Sequence, residues 1–582
     1  MKNFAKMTLA TVLGLLIFGI LSLFLTISMV GAFAAIGNTA PVMPDKAVLT
    51  IDMSSMVLAE QTKEADPFAA LNGTGGTVPA SVGILSAVNA INKAAEDPAV
   101  SFIYMKPDAA AGGFAQIEEF RTALKNFRLS GKAVVSYIEN PTNFGYYLAS
   151  VSDKIYMTSY DGGMNMFSGV SSQMFFLKDL LDRMGVNVQL IRHGKYKSAG
   201  ETFVRSSSSK ENMEQNQEMI DSIWESMARE IASDRGITME QLDSMLDNLE
   251  LVFPSDFLRL SLVDELMTPE QMKMKLCDLY VASDPKDVKS ISLQDYAKLN
   301  TAIHLNPTGK IAVVYAEGNI VEGNGRQQVA GDRFARIISD IRKDTTIKAV
   351  VLRVNSPGGS VLAAEKIKGE IDLLRESVPV IASFGDYAAS GGYWISANCD
   401  KIFTDMTSLT GSIGVFSLIP DFSGTLDRKL HINVTPVNSN AHSDIYSMIR
   451  PLDAKEMGYM QATVERIYER FTSVVSQGRD MSVEDVDRIG QGRVWTGAEA
   501  VNNGLADAVG SLSDAIEYAA LSIDPSLTAK DVVIEEYPKP QTTAEMLLEA
   551  FGAGSTTEAF MGLDLTSSGR VYARMPYEFD IR

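Results

Sequence analysis

Short runs of β-branched and aliphatic residues alternate along this chain with stretches in which apolar positions recur every three or four residues. In the C-terminal half, KIAVVYAEG (310–318), KAVVLRVNS (348–356), PVIASFG (379–385) and KIFTD (401–405) read as buried strands. Between them, Ala330–Ile341 and Ala363–Leu374 carry helical spacing. Such alternation predicts βαβ units, hence an α/β fold with a mainly parallel sheet covered by helices. A long amphipathic helix is predicted in each half, near Asn212–Ala232 and Ala454–Val475. Met219, Ile220, Ile223, Trp224, Met227 and Ile231 share one face of the first, a stripe that reads as packing rather than as a cofactor site. The polar stretch Asp284–Thr308, with two prolines, reads as a linker between halves, and the Gly/Ala/Thr-rich Phe68–Val82 as a flexible loop.

The N-terminus breaks this pattern. Lys2 and Lys6 precede a stretch from Met7 to Pro44 without a charged residue, and its apolar part, Leu9–Ile36, exceeds the ~20 residues needed to cross a bilayer. A cleavable signal peptide has a shorter apolar region of about 7–15 residues, although Ala32-Phe33-Ala34 has the small-x-small form of a cleavage site. The expectation is a retained transmembrane helix with a cytoplasmic N-terminus and the rest of the chain outside the cytoplasm.

The two halves repeat one module. Gly112-Gly113, a helical stretch, the strand AVVSYI (133–138) and NPTNFGYYLASVSDKIY answer to Gly358-Gly359, a helical stretch, PVIASF (379–384) and YAASGGYWISANCDKIF. LDR recurs at 181 and 426, followed by VNV (186–188) and INV (432–434). Agreement in order and spacing over this length marks a duplication. The expected organisation is therefore an anchor at 1–44, a first domain at 45–295 and a second at 296–582.

Composition narrows the functional classes. With 582 residues, 46% hydrophobic and 21% charged, the chain is globular, not disordered or coiled-coil. The net charge of −20, without a local basic patch, argues against nucleic-acid binding. Two cysteines, Cys277 and Cys399, and four scattered histidines provide neither a disulfide framework nor a histidine-rich metal site. No phosphate-binding loop, H-E-x-x-H or strict G-x-S-x-G is present. No metal or cofactor is expected.

Candidate chemistry lies where the copies disagree. After the third strand the second copy reads Ala388-Ala389-Ser390-Gly391-Gly392, and Asn143 replaces Ser390 in the first. Small flanking residues allow a sharp turn that exposes a hydroxyl beside backbone N–H groups, although a helix-capping serine explains the same residues. Asn355-Ser356-Pro357-Gly358-Gly359-Ser360 closes a strand and opens a helix, leaving N–H groups suited to a developing oxyanion, to phosphate, or to an ordinary tight turn. A nucleophile needs a base. His442 is one candidate. The other is Lys197, in Gly194-Lys195-Tyr196-Lys197-Ser198-Ala199-Gly200-Glu201; the matching stretch of the second copy, Asn440–Tyr446, has no lysine. One copy thus holds the serine and the other the lysine, which suggests a Ser–Lys dyad assembled from two half-sites. A lysine of ordinary pKa about 10.4 must fall by ~3 units, about 4 kcal/mol, to be neutral near pH 7. Burial between two domains can do this. Ser412, in Thr410-Gly411-Ser412-Ile413-Gly414, is placed either to orient the amine or to serve a turn.

NSPGG (355–359), YAASGGYWIS (387–396), LTGSIGVF (409–416), YKSAGE (196–201) and GRVWTGAEAVNNGLAD (492–507) resemble, in order, the blocks of the long, duplicated form of signal peptide peptidase A, the membrane-anchored protease IV family. The resemblance spans roughly residues 45–580. It implies two tandem ClpP/crotonase-like domains (repeated ββα units) and a homotetramer. It also implies an ATP-independent serine endopeptidase, anchored in the bacterial inner membrane with its domains outside the cytoplasm, that degrades signal peptides and other apolar peptides. By position Ser390 matches the nucleophile, Lys197 the general base, Ser412 the serine that binds the lysine, and the amides of Gly359 and Gly391 the oxyanion donors. Gly200 departs from the family motif, where a bulkier residue is commoner. Two other readings fit the fold: a crotonase-like acyl-CoA enzyme and a non-catalytic membrane-tethered scaffold.

Overall fold

The computed structural model describes residues 6–8, 10–19, 21, 24, 41–63, 79–299, 309–326, 328–540 and 572–575. In the first half, six strands form a parallel sheet in the order Glu265–Met267, Lys154–Thr158, Val134–Ile138, Val100–Lys106, Ala47–Asp52, Ser290–Ser292. The second half repeats that succession with Ala508–Val509, Lys401–Thr404, Val380–Ala389, Ile347–Ser356, Lys310–Glu317 and Val533–Tyr537, again parallel. The duplication read in the sequence is thus a duplication of sheet topology.

The near-continuous apolar strands are covered on both faces, as parallel sheets require. Ile311–Ala316 is buried at every position. Phe334, Ile338 and Ile341 of the helix Gly331–Lys343, and Ile367, Ile371 and Leu374 of the helix Val361–Arg375, pack into the same core. Each such side chain contributes about 1.5–3 kcal/mol of burial. The helix Lys210–Arg235 buries Met219, Ile223, Met227 and Ile231, four residues apart, so the stripe is packing. The expected linker is in part structured: Ser290–Ser292 joins the first sheet beside Val48–Thr50, and the helix Leu293–Lys298 buries Leu293 and Tyr296. Residues 68–78 of the expected loop lie outside the described residues, and Ala80–Gly83 is a strand paired with Met56–Ala59. Cys277 and Cys399 are both free and buried. Most of the expected anchor also lies outside the described residues; among those described, no helix is long and apolar enough to cross a membrane.

Two features bind the halves. A third, mixed sheet runs Val329–Ala330, Ile320–Val321, Gly358–Ser360, Tyr572–Arg574, Val415–Asp421, Asn187–His193. Its last pair is antiparallel from Val415↔His193 to Asp421↔Asn187, so a first-half strand is stitched to a second-half strand. Elsewhere Arg353, fully buried, reaches Glu60 at 2.7 Å and Glu119 at 2.8 Å. Asp386 accepts from the Ala115 N–H at 3.0 Å, and burial, reinforced by nearby Glu60, raises its pKa to about 7.

Candidate active site

The strand Val380–Ala389 is longer than its first-half counterpart, and the added residues Tyr387–Ala389 pair with Leu409–Gly411. The chain then turns sharply at Ser390, with φ 54° and ψ −112°, into the helix Gly391–Ser396. A serine with positive φ is uncommon, and such strain gathers at sites where position matters. Ser390 does not cap this helix through its side chain. Its N–H donates to the Gly411 carbonyl at 2.8 Å, so that amide is already committed.

The strand Asn187–His193, held in register on Val415–Asp421, delivers the following loop to the same place. Lys197 in that loop is fully buried. Its Nζ lies 2.8 Å from Ser390 Oγ, 2.9 Å from Ser412 Oγ and 3.0 Å from the Ser412 carbonyl oxygen. Burial alone, with no charged neighbour contributing, holds its pKa well below the ordinary lysine value. Ser412 is also buried and at positive φ, 49°, fixed by its N–H to the Arg493 carbonyl at 2.7 Å. The structure therefore brings together Ser390, Lys197 and Ser412, from both halves.

Gly359 and Gly391 meet beside them. A Cβ on Gly391 would sit 3.1 Å from the Gly359 nitrogen, and one on Gly358 (φ +99°) would sit 2.6 Å from the Gly391 nitrogen. Two backbone amides thus border one small space that only side-chain-free residues leave open. His442 is elsewhere: its Nδ1 is 2.9 Å from Glu456 Oε1, and Glu456 also takes Arg450 at 2.8 Å. The space beside Gly200 is filled by neighbours, since a Cβ there would lie 2.4 Å from Leu190 Cδ1 and 3.2 Å from Leu418 Cδ2.

Sequence reasoning missed the groups that hold the lysine loop. Arg192 Nη1 donates to the Lys197 carbonyl at 3.0 Å and pairs with buried Glu201 at 3.1 Å. Gln215 Nε2 donates to the Tyr196 carbonyl at 3.1 Å and to Ser198 Oγ at 2.8 Å. Gly492 presses on the loop, where a Cβ would come within 2.6 Å of the Lys197 nitrogen. Polar Asn212, Gln215 and Asn216 at the start of an otherwise apolar helix face were the available signal.

The signature of peptidase family S49 matches residues 126–280 and again 372–524, once in each copy. The chain belongs to peptidase family S49. This S49 chain is 32% identical to Protease 4 of Haemophilus influenzae over 84% of its own length and 81% of the relative's. It is 35% identical to Protease 4 of Salmonella typhi, covering 74% of this chain and 71% of that one. Similarity extends to a chloroplastic serine protease, SPPA, of Arabidopsis thaliana, 29% identical over 82% and 70% of the two chains. The S49 chain is a serine peptidase of the signal peptide peptidase A type, as its motif blocks led one to expect.

Proposed function

We propose that this S49 peptidase is a serine endopeptidase that works through a Ser390–Lys197 dyad. The observation that carries the reading is the 2.8 Å contact between Lys197 Nζ and Ser390 Oγ in a fully buried setting. A neutral amine has two N–H donors and one lone pair. Donating both to Ser412, through its hydroxyl and its carbonyl, leaves the lone pair facing the Ser390 hydroxyl, which is the geometry of a general base. Lys197 takes the proton as Ser390 Oγ attacks a peptide carbonyl, and the N–H groups of Gly359 and Gly391 hold the oxyanion. Lys197 then protonates the leaving amine, and water, deprotonated by the same amine, cleaves the acyl-enzyme. A crotonase-like acyl-CoA enzyme would use the glycine amides but gives this buried dyad no task. A scaffold gives none to either feature.

A fluorophosphonate probe followed by peptide mapping tests the assignment. Labelling is expected at Ser390 alone, and casein hydrolysis is expected to disappear in Ser390→Ala and in Lys197→Met with folding intact. If His442→Ala removes activity and Lys197→Met does not, the dyad is wrong.

The resemblance to signal peptide peptidase A supports apolar peptides and cleaved signal peptides as substrates, and the uncharged stretch Met7–Pro44 supports a single inner-membrane anchor with the catalytic halves on the far side. Extraction of the chain by alkaline carbonate would refute the anchor. For assembly, the duplication supplies an argument. Within the chain, Asn187–His193 pairs with Val415–Asp421. The counterpart of the former, around Ile432–Val437, is exposed and in no sheet, while residues 171–176, the counterpart of the latter, are extended outside any sheet with exposed and half-buried positions alternating. Repeating the same pairing between chains joins subunits head to tail, and closure yields a ring such as the homotetramer the family resemblance implies. Val434→Asp is expected to lower the mass measured by analytical ultracentrifugation; an unchanged mass refutes this pairing.

A further inference from the structure

The strand Tyr572–Arg574 lies where a substrate would. It enters the third sheet between Gly358–Ser360, which carries one amide of the glycine pair, and Val415–Asp421, which leads to the lysine loop. Pairing with Gly358–Ser360 is antiparallel, with Gly359 opposite Ala573 and Gly358 opposite Arg574. The Met575 N–H donates to the Pro357 carbonyl at 2.6 Å. Hydrogen-bonded and non-hydrogen-bonded pairs alternate in an antiparallel ladder, so the bond at Met575 makes Gly359 and Ala573, two residues along, a hydrogen-bonded pair. That directs the Gly359 N–H at the Ala573 carbonyl. The same carbonyl oxygen is 3.1 Å from where a Cβ on Gly391 would stand and 2.2 Å from one on Gly358. Among the peptide groups of Tyr572–Met575 it is the Ala573 carbonyl that reaches the space between the two glycine amides, beside the turn that bears Ser390. Ala573 itself is completely enclosed, and Met575 nearly so. The methyl group of Ala573 therefore fills a closed pocket, and the extended backbone on either side is bound by strand addition, the way peptidases hold peptides.

From this placement, and resting on the dyad reading above, we propose that the enzyme processes its own C-terminal segment, cutting between Ala573 and Arg574. The bond changes are those of ordinary peptide hydrolysis. Ser390 Oγ bonds to the Ala573 carbonyl carbon and its proton passes to Lys197. The Ala573–Arg574 C–N bond then breaks, and that proton leaves on the Arg574 amine. Water attacks the Ala573 ester, giving an Ala573 carboxylate and regenerating Ser390. The chain from Arg574 onward is released. Before the cut, the segment fills the cleft against other peptides; afterwards, the primed side of the cleft is vacated. The enclosed methyl also marks the pocket before the cut bond as one for small residues.

Intact mass spectrometry of the purified full chain, sampled over time, tests this. A species ending at Ala573 and a peptide beginning at Arg574 are expected, and both are expected to be absent in Ser390→Ala. Ala573→Phe, too large for the enclosed position, is expected to keep the C-terminus intact while hydrolysing casein. A full-length C-terminus in a wild-type enzyme that hydrolyses casein and takes the fluorophosphonate at Ser390 overturns the inference alone. A full-length C-terminus in an enzyme that does neither overturns the dyad reading with it. Cutting that persists in Ser390→Ala, or falls at another bond, also refutes the proposal.

Discussion

The same strand-to-helix turn occurs twice in this chain and is put to two uses. In the first copy, Thr142 opens the helix Asn143–Ser150 from extended backbone (φ −111°, ψ 170°), and its hydroxyl caps the Gly145 N–H at 2.9 Å. Asn143, in the place of the serine, is tied down on three sides: its Oδ1 accepts from the N–H groups of Ser168 and Gly169 at 3.1 Å, and its Nδ2 donates to the Gly169 carbonyl at 2.9 Å. In the second copy the capping hydroxyl is gone, replaced by Ala389, and Ser390 stands at φ 54° with its side chain excused from capping. The first turn satisfies its polar groups locally and is relaxed. The second leaves a hydroxyl for a distant partner, and the backbone strain is held by the pairing of Tyr387–Ala389 with Leu409–Gly411. A duplicated fold has thereby separated a structural turn from a chemical one, and the lysine that completes the chemical turn comes from the copy that lost the serine.

The comparison breaks first at the lysine. Lys197→Met is expected to lower kcat/KM for a peptide substrate by more than about 10³-fold, the scale on which loss of a dyad member acts. The same change is expected to stabilise the fold at neutral pH, because a buried amine is a cost. Lys197 is depressed in the folded state, so between its lowered value and the ordinary one near 10.4 the unfolded chain binds the extra proton. Wild-type stability therefore rises with pH through that window. The advantage of Lys197→Met in thermal or urea unfolding should shrink as the pH approaches about 10. A variant that is inactive and also less stable at pH 7 would mean that Lys197 is held as a structural donor.

Ser412 sharpens the comparison further. Replacing it with alanine removes one of the two Ser412 acceptors for the amine while leaving the carbonyl. One hydrogen bond is worth about 1 kcal/mol net, which converts to roughly a five- to tenfold loss of kcat/KM. Hydrogen bonds are stronger to the ammonium than to the amine, so losing an acceptor favours the neutral form. The acid limb of the pH–rate profile is therefore expected to move to lower pH in Ser412→Ala. A loss of rate with an unmoved limb would assign Ser412 to the turn alone.

How much of this was legible in the chain follows from where each signal resides. The strands and helices were legible because their periodicity is local, and the dyad because duplication let each copy serve as a reference for the other. Ser390 and Lys197 stood out as the residues that one copy had and its sibling lacked. Gln215 and Glu201 could not be picked out in this way. A buried polar residue follows the same helical spacing as a buried apolar one, and what Gln215 binds, the Tyr196 carbonyl and Ser198, lies on a loop that only the tertiary fold brings near. Tyr572–Arg574 was illegible for a different reason: a three-residue strand has no period, and its partners are more than a hundred residues away in sequence. The glycines that receive it were visible, but as a turn whose ligand the sequence left open.

The smallest effect is expected at the structural turn itself, and it tests whether the serine's position is enough to make a nucleophile. Asn143→Ser places a hydroxyl in the first copy where the second has Ser390. The shorter side chain cannot span to both the N–H groups and the carbonyl of the Ser168–Gly169 segment, and these groups are only partly shielded from water, so the loss is expected to be about 1 kcal/mol in unfolding. No gain of chemistry is expected. Thr142 still caps the helix from relaxed backbone, and the second-copy stretch that matches the lysine loop, Asn440–Tyr446, contains no amine to act as base. Residue 143 should therefore stay unlabelled by a fluorophosphonate probe while Ser390 in the same molecules is labelled. Labelling at 143 would mean that the turn alone activates a hydroxyl, and the strain at Ser390 rather than the neutral amine would then carry the difference between the two copies.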